Sequence, residues 1–118
     1  MLVDDEEGIR TVVRKYLEDD GHYVETAGDG VEALKKFKAA NWNLVITDLI
    51  MPKLGGDDLA KLIKQIDPTI PLILLTGHVD YAADVRGERL PFDMVISKPF
   101  KYDTIHAAIA SIQLRKDV

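Results

Sequence analysis

The sequence predicts an α/β fold in which helices cover both faces of a parallel sheet. Short apolar runs alternate five times with longer amphipathic stretches along the 118 residues. The runs are apolar at consecutive positions, which is typical of strands that are buried on both faces. Five strand-and-helix units in a chain of this length favour a flavodoxin-like three-layer sandwich, with a five-stranded parallel sheet of order 2-1-3-4-5.

Five short apolar runs are predicted to be the strands. They cover residues 1–3, 23–26, 44–47, 72–75 and 94–96. The third run is rich in β-branched residues, as expected of a central strand, and the fourth is the most apolar of the chain. Turn residues follow the second run at Gly28 and Gly30 and the third run at Pro52, Gly55 and Gly56.

Five helices are predicted where apolar residues recur at helical spacing. The stripes are Ile9, Val12, Val13 and Leu17 in the first helix, Val31, Leu34 and Phe37 in the second, Leu59, Leu62, Ile63 and Ile66 in the third, and Ile105, Ile109 and Ile112 in the fifth. Glu6 and Glu7 favour the start of the first helix, and Asp103 is expected to cap the fifth. The fourth helix, over residues 81–90, is the weakest because Gly87 interrupts a patchy stripe.

Composition and charge restrict the class of function. The net charge of -5 disfavours direct nucleic-acid binding, because phosphate backbones are held by clusters of Lys and Arg. Without cysteine the chain has neither a disulfide framework nor a thiolate metal site. No apolar run approaches the length of a membrane span, and no secretory signal is visible. We expect one cytoplasmic domain over residues 1–118, with no room for an output domain.

Charged and hydroxyl side chains follow four of the predicted strands. Asp4 and Asp5 come after the first strand, Asp48 after the third, Thr76 after the fourth and Lys98 after the fifth. The carboxyl ends of parallel strands form the ligand-binding edge of an open α/β sheet. Three carboxylates, a hydroxyl and an ammonium at this edge can hold a divalent cation and a phosphoryl group together. The set therefore predicts phosphoryl chemistry on an aspartate.

Four segments of the chain resemble the receiver domains of two-component response regulators. They are residues 3–6 (VDDE), 44–52 (LVITDLIMP), 74–77 (LLTG) and 97–100 (SKPF), in the order and spacing of that family. The resemblance implies that Asp48 is the phosphoacceptor and that Thr76 and Lys98 contact the phosphoryl oxygens. It also implies that Asp4, Asp5, Asp48 and the backbone carbonyl of Ile50 form a Mg²⁺ site. A cis bond before Pro99 is implied as well.

Elementary electrostatics supports a cation at this edge independently of the resemblance. Two carboxylates at roughly 5 Å repel by about 3 kcal/mol at an effective dielectric constant near 20, so three acids without a cation should be strained. Mg²⁺ prefers hard oxygen ligands and keeps several waters, which suits Asp5 and Asp48 as direct ligands. Asp4 would then act partly through water. Phosphoryl transfer needs mainly alignment and neutralisation of charge, which Lys98 and Thr76 can provide.

Three other interpretations share parts of this pattern. A phosphatase of the haloacid-dehalogenase kind also uses an aspartate nucleophile with Mg²⁺, but it usually carries a second acid two residues later, where this chain has Ile50. An interaction module that has lost phosphorylation would not need the full set of acids and lysine. A dinucleotide fingerprint fits Gly28, Gly30 and Ala33, although turn chemistry already explains both glycines. His78 could face the site and influence an attacking water, but it is better explained as a solvated loop residue.

The resemblance also implies partners and a mechanism of switching. The expected phosphodonor is a sensor histidine kinase or a histidine phosphotransfer protein, and the domain is expected to signal rather than to act as an enzyme. A homodimer would form through the fourth and fifth predicted helices. Val95 occupies the position of the family's usual switching aromatic residue, so an aromatic switch is not expected. Instead, phosphorylation is expected to draw Thr76 toward Asp48 and to shift residues 77–95.

Overall fold

The structure is a computed structural model that describes residues 1–78 and 91–116. Within these ranges the strands are β1 (Leu2–Val3), β2 (Thr26–Ala27), β3 (Val45–Thr47), β4 (Leu72–Thr76) and β5 (Met94–Ser97). The helices there are α1 (Glu7–Asp19), α2 (Gly30–Ala39), α3 (Gly56–Ile66) and α4 (Tyr102–Lys116). The fourth predicted helix, over 81–90, lies outside the described residues, so α4 is the fifth predicted helix.

The five strands form one parallel sheet of order β2-β1-β3-β4-β5. This order confirms the predicted topology. β1 lies between β2 and β3, where Leu2 is opposite Ile46 and Val3 is opposite Thr47. The chain therefore moves outward from β1 in one direction to β2 and in the other to β3. The carboxyl ends of β1 and β3 are neighbours at the point where the direction changes, which is where ligands bind in such sheets.

Two apolar layers enclose the sheet and confirm the three-layer arrangement. Successive strand residues point to opposite faces, so Val3 and Val45 pack into the layer under α2 and α3, while Leu2 and Ile46 pack into the layer under α1 and α4. Phe37 and Ile63 fill the first layer from the helices, and Val13 and Ile109 fill the second. Burial of these side chains on both faces holds the strand ends in fixed relative positions.

The second strand begins later than its sequence pattern predicts. Residues 23–26 were expected to form it, but β2 covers Thr26–Ala27 and Tyr23 is 80% exposed. A strand forms only where a neighbour can bond it, and β1 pairs with β2 through two residues, Leu2 and Val3. The prediction of a strand at Tyr23 is therefore wrong. It rested on the strand propensity of residues 23–26 and ignored the short length of β1, the strand that pairs with β2.

Several helical details also differ from the predicted stripes. Val12, Val31 and Ile66 belong to the predicted apolar stripes but are about half exposed, so the stripes extend beyond the buried core. Asp103 lies in the first turn of α4 rather than at its cap, because the Lys101 carbonyl already accepts the amides of residues 104 and 105. None of the helices in the described ranges is both long and apolar enough to cross a bilayer.

Candidate functional site

Five predicted site residues converge at the carboxyl edge of the sheet. Asp4 and Asp5 lie in the loop between β1 and α1, and Asp48 directly follows β3. Thr76 is the last residue of β4, and Lys98 directly follows β5. Because all five strands run in the same direction, these positions share one edge. The structure thus confirms the predicted placement of these residues at one edge of the sheet.

Four carboxylates form one cluster at this edge. Asp4, Asp5, Glu6 and Asp48 each offer an oxygen, and these oxygens all lie within 4.8 Å of one another. Asp4 and Asp48 are buried, whereas Asp5 and Glu6 are exposed. Glu6 was interpreted from the sequence as a helix-start residue and as the end of the segment 3–6 that resembles the family, but its membership of the cluster was missed. Its position directly after two site acids was the available signal.

The ammonium of Lys98 contacts the two buried acids of the cluster. Its Nζ lies 2.8 Å from Asp4 Oδ2 and 3.1 Å from Asp48 Oδ2, and the exposed Glu6 carboxylate is 3.8 Å away. The backbone amide of Lys98 donates to the Thr76 carbonyl at 3.0 Å, which places the side chain at the end of β5. The Lys98–Pro99 bond is cis, as the resemblance implies.

Burial and charge shift the pKa values of this pair. Burial raises the pKa of Asp4 above its ordinary value, and the hydrogen bonds from Lys98 and from the Glu6 amide offset only part of that effect. Burial lowers the pKa of Lys98, but its hydrogen bond and attraction to Asp4, together with the charge of Asp48, outweigh burial and raise the pKa overall. Lys98 therefore keeps its positive charge, and it lies beside Asp4, whose ionised form is destabilised by burial.

Backbone contacts fix the position of Asp48. Its amide donates to the Val3 carbonyl at 2.9 Å, which joins β3 to β1. Its Oδ1 accepts the Leu49 amide at 2.7 Å, while Oδ2 faces Lys98. The buried Thr47 hydroxyl donates to the Asp48 carbonyl at 2.9 Å. Both the main chain and the carboxylate of Asp48 are therefore held in one orientation.

Thr76, His78 and Ile50 surround the cluster without joining it. The buried Thr76 hydroxyl accepts a hydrogen bond from the His78 amide at 3.1 Å. The His78 residue is exposed, in agreement with its interpretation as a loop residue. Ile50 follows Asp48 by two positions, and 47% of its surface is exposed. The position that would hold the second acid of a haloacid-dehalogenase phosphatase therefore presents an apolar side chain.

The arrangement combines a cluster of acids that could hold a cation with a buried carboxylate beside a lysine. Four hard oxygen donors, two of them open to solvent, match the chemistry of Mg²⁺ better than that of soft metals. One of these four donors, the buried Asp48, also lies 3.1 Å from the Lys98 ammonium. Such a site can align and neutralise a phosphoryl group next to a carboxylate oxygen.

The chain belongs to the response regulator receiver domain family, whose model matches residues 1–110. It is a phosphoacceptor domain of two-component signalling, and domains of this family interact with histidine kinases or phosphotransfer proteins.

The comparisons with individual proteins agree with this assignment. The chain is 35% identical over its whole length to the alkaline phosphatase synthesis transcriptional regulatory protein PhoP of Bacillus subtilis, and it covers 49% of that protein. It thus spans about half the length of the curated relatives it matches. A receiver domain protein from Clostridium thermocellum has a TM-score of 0.86 and 35% identity, with 98% of this chain and 94% of that chain covered.

A third comparison concerns a protein that was solved with a metal. The response regulator protein TrrA from Thermotoga maritima, in complex with Mg²⁺-BeF, has a TM-score of 0.84 and 34% identity. The alignment covers 93% of this chain and 94% of that chain. These solved structures share the fold found here.

Proposed function

We propose that Asp48 is the residue that accepts the phosphoryl group. The observation that carries this proposal is the contact of its Oδ2 with Lys98 inside a cluster of four acids. A carboxylate oxygen of Asp48 attacks phosphorus and forms a new P–O bond. The P–N bond of a donor phosphohistidine breaks at the same centre, and its electron pair remains on the imidazole nitrogen. Little covalent help is needed, because this chemistry depends on alignment and neutralisation of charge.

Lys98 and Thr76 are the proposed phosphoryl contacts. Lys98 already lies 3.1 Å from Asp48, so a phosphoryl group on that carboxylate would come within reach of its ammonium. Thr76 can donate its hydroxyl proton, because in the described structure that oxygen serves as the acceptor for the His78 amide. A hydrogen bond from Thr76 to the phosphoryl group would draw the end of β4 toward Asp48, as the expected switch requires.

Mg²⁺ is the proposed cofactor, and the donor set fits it. Asp5 and Asp48 are the proposed direct ligands, with the Ile50 carbonyl as a third oxygen and Asp4 acting partly through water. When bound, the cation neutralises the carboxylates and the oxygens of the phosphoryl group. The complex of TrrA with Mg²⁺-BeF supports this choice of cation by relationship. Glu6 adds negative charge at the entrance of the site.

The domain is proposed to signal rather than to turn over substrate. Its activity would be limited to self-phosphotransfer and slow autodephosphorylation. The phosphatase alternative requires a general acid or base two residues after the nucleophile, and Ile50 cannot move a proton. The phosphorylation-independent alternative would not require the buried and costly Asp4 carboxylate.

We further propose that residues 1–118 form one cytoplasmic receiver domain whose donor is a sensor histidine kinase or a histidine phosphotransfer protein. The family match over residues 1–110 supports the domain, and the absence of cysteine suits a reducing compartment. The net charge of -5 supports the absence of direct nucleic-acid contact. Homodimerisation through the fourth and fifth predicted helices is also proposed, on the resemblance alone.

Intact-mass spectrometry tests the proposed chemistry. The protein is incubated with a small-molecule phosphodonor, with Mg²⁺ or with a chelator. We expect one phosphoryl adduct that requires Mg²⁺ and disappears in Asp48→Asn. The matched control is Asp58→Asn, because Asp58 is an exposed acid in the first turn of α3. Absence of an adduct in a folded parent protein would support the phosphorylation-independent module instead.

A further inference from the structure

Arg10 reaches from the first turn of α1 back to the loop that carries Asp4 and Asp5. Its Nη1 donates a hydrogen bond to the Asp4 carbonyl oxygen at 2.7 Å. Its amide donates to the Glu6 carbonyl at 3.1 Å, so the base of the side chain is fixed by the helix. A hydrogen bond from a guanidinium is short and strong because the donor is charged. Arg10 therefore fastens this loop to a rigid element.

The same guanidinium lies close to the turn that follows β2. A methyl group at position 28 would lie 3.4 Å from Arg10 Nη1 and 3.9 Å from its Cζ. A methyl group at position 28 would therefore be in ordinary van der Waals contact with the guanidinium. Gly28 belongs to the loop between β2 and α2, so the Arg10 guanidinium bonds the loop after β1 and lies beside the loop after β2.

The peptide group between Asp4 and Asp5 is the part of the loop that Arg10 holds. Asp4 is fixed by its amide, which donates to Ala27 at 3.1 Å, and by its Oδ1, which accepts the Glu6 amide at 2.9 Å. The carbonyl that accepts from Arg10 is bonded directly to the nitrogen of Asp5. Since a peptide group is planar, fixing this carbonyl also fixes the direction in which the chain enters Asp5. The Asp5 carboxylate extends from this backbone into the acidic cluster.

We propose that Arg10 is a positioning residue of the metal site, which holds the peptide between Asp4 and Asp5 so that the Asp5 carboxylate faces the cation. This inference rests on the proposed function, in which Asp5 and Asp48 bind Mg²⁺. Loss of the Arg10 side chain would change Mg²⁺ affinity in opposite directions, depending on whether Arg10 positions the loop or acts only through its charge. Removing a positive charge near four acids strengthens cation binding by Coulomb attraction, whereas releasing the loop weakens it.

Mg²⁺ titrations of Arg10→Lys and Arg10→Met distinguish these effects. Binding is followed by amide chemical shifts of the parent and the variants. Arg14→Met is the matched control, because Arg14 lies one turn further along α1 and pairs with the exposed Glu18 at 3.3 Å. We expect the Mg²⁺ dissociation constant to rise about tenfold in both Arg10 variants and to change less than about twofold in the control. Equal or tighter binding by Arg10→Met would overturn the positioning role.

Two further measurements separate positioning from a general structural effect. At saturating Mg²⁺ the rate of phosphorylation by the small donor should stay close to that of the parent, while the Mg²⁺ concentration for half-maximal rate rises. A variant that merely loses stability would show a lower urea midpoint with an unchanged Mg²⁺ requirement, which would also contradict the inference. Mg²⁺ titration of the parent protein tests the metal site itself. Absence of Mg²⁺ binding to the parent, or binding that persists in Asp5→Asn, would overturn the proposed metal site together with the role of Arg10.

Discussion

Gly56 lies so close to the Asp48 carbonyl that a methyl group at position 56 would sit 1.9 Å from that oxygen. The Gly56 amide donates to the Leu49 carbonyl at 2.7 Å, so the loop after β3 turns back onto its own beginning. The first residue of α3 is therefore packed directly on the backbone of the proposed phosphoacceptor. Substitutions at Gly56 should therefore disturb the backbone that carries Asp48.

Gly56→Ala should destabilise the protein, because the added methyl group overlaps main-chain atoms that cannot move away cheaply. We expect the free energy of unfolding to fall by about 1–3 kcal/mol in urea titrations. Gly8→Ala is the control, since Gly8 lies in α1 with nothing within 4 Å of the added methyl group. That change should raise the free energy of unfolding by about 0.5–1 kcal/mol. Similar values for the two variants would contradict the close contact.

Asp4→Asn should stabilise the metal-free protein at neutral pH. Burial raises the pKa of Asp4 above 3.8, so its contribution to stability is favourable below that value and is lost as pH rises through the folded-state pKa. Removing the ionised group removes this cost, which we expect to be on the order of 1 kcal/mol. Urea unfolding at pH 7 without metal measures it, with Asp58→Asn as the control. A less stable Asp4→Asn protein would show that the ion pair with Lys98 outweighs burial.

Lys98→Met should destabilise the metal-free protein, because Asp4 and Asp48 would lose their shared cation. We expect a loss of about 3 kcal/mol, as for other buried pairs from which one partner is removed. Mg²⁺ should stabilise this variant more than it stabilises the parent, since the Lys98 ammonium no longer competes for the carboxylates. A cation at 100 times its dissociation constant adds about 2.7 kcal/mol to the free energy of unfolding. Lys101→Met, an exposed lysine nearby, should show neither effect.

If Mg²⁺ stabilised Lys98→Met and the parent equally, Lys98 and the cation would not share ligands. That result would contradict the overlap of the two sites proposed here. Thermal unfolding at increasing Mg²⁺ concentration gives the comparison directly, because the stabilisation depends on the concentration relative to the dissociation constant.

Asp20→Asn should remove part of the acid sensitivity of the contact between α1 and α4. Tyr102 donates a hydrogen bond to Asp20 Oδ1, and His106 Nδ1 lies 2.9 Å from Oδ2. These contacts lower the pKa of Asp20 below 3.8, so its stabilising effect is present above that pH and is lost as pH falls through the lowered pKa. The difference in urea midpoint between parent and variant should therefore be larger at pH 7 than at pH 3.

Asp19→Asn is the control for that measurement, because Asp19 is the preceding acid and forms an exposed ion pair with Lys15 at 3.7 Å. Its urea midpoint should follow the parent at both pH values. A difference between Asp20→Asn and the parent that does not change with pH would contradict the assigned ionisation.

The topology and the centre of the site were predictable because strongly local signals determine them. Apolar runs that are buried on both faces leave little choice except a parallel sheet, and polar residues at the ends of such runs must meet at one edge. Asp4, Asp48 and Lys98 were found in this way. Their placement depends on which strands are central, which the apolar pattern encodes.

The remaining details depend on contacts that no local pattern encodes. The limits of β2 depend on the two residues that β1 offers for pairing. Val12 and Val31 fit their helical stripes, yet each is about half exposed. Arg10 was missed because its proposed role depends on one hydrogen bond to a carbonyl six residues earlier, and a lone arginine on a helix has no sequence signature.

Chemical mapping of the phosphorylated residue tests the central claim most directly. Borohydride reduces an aspartyl phosphate to homoserine, so the modified position can be read from the masses of peptides. After incubation with Mg²⁺ and a phosphodonor, the account predicts homoserine at position 48 and unchanged acids at positions 4, 5 and 6. Homoserine at one of those three positions, or at Asp57, would show that the nucleophile has been assigned to the wrong carboxylate.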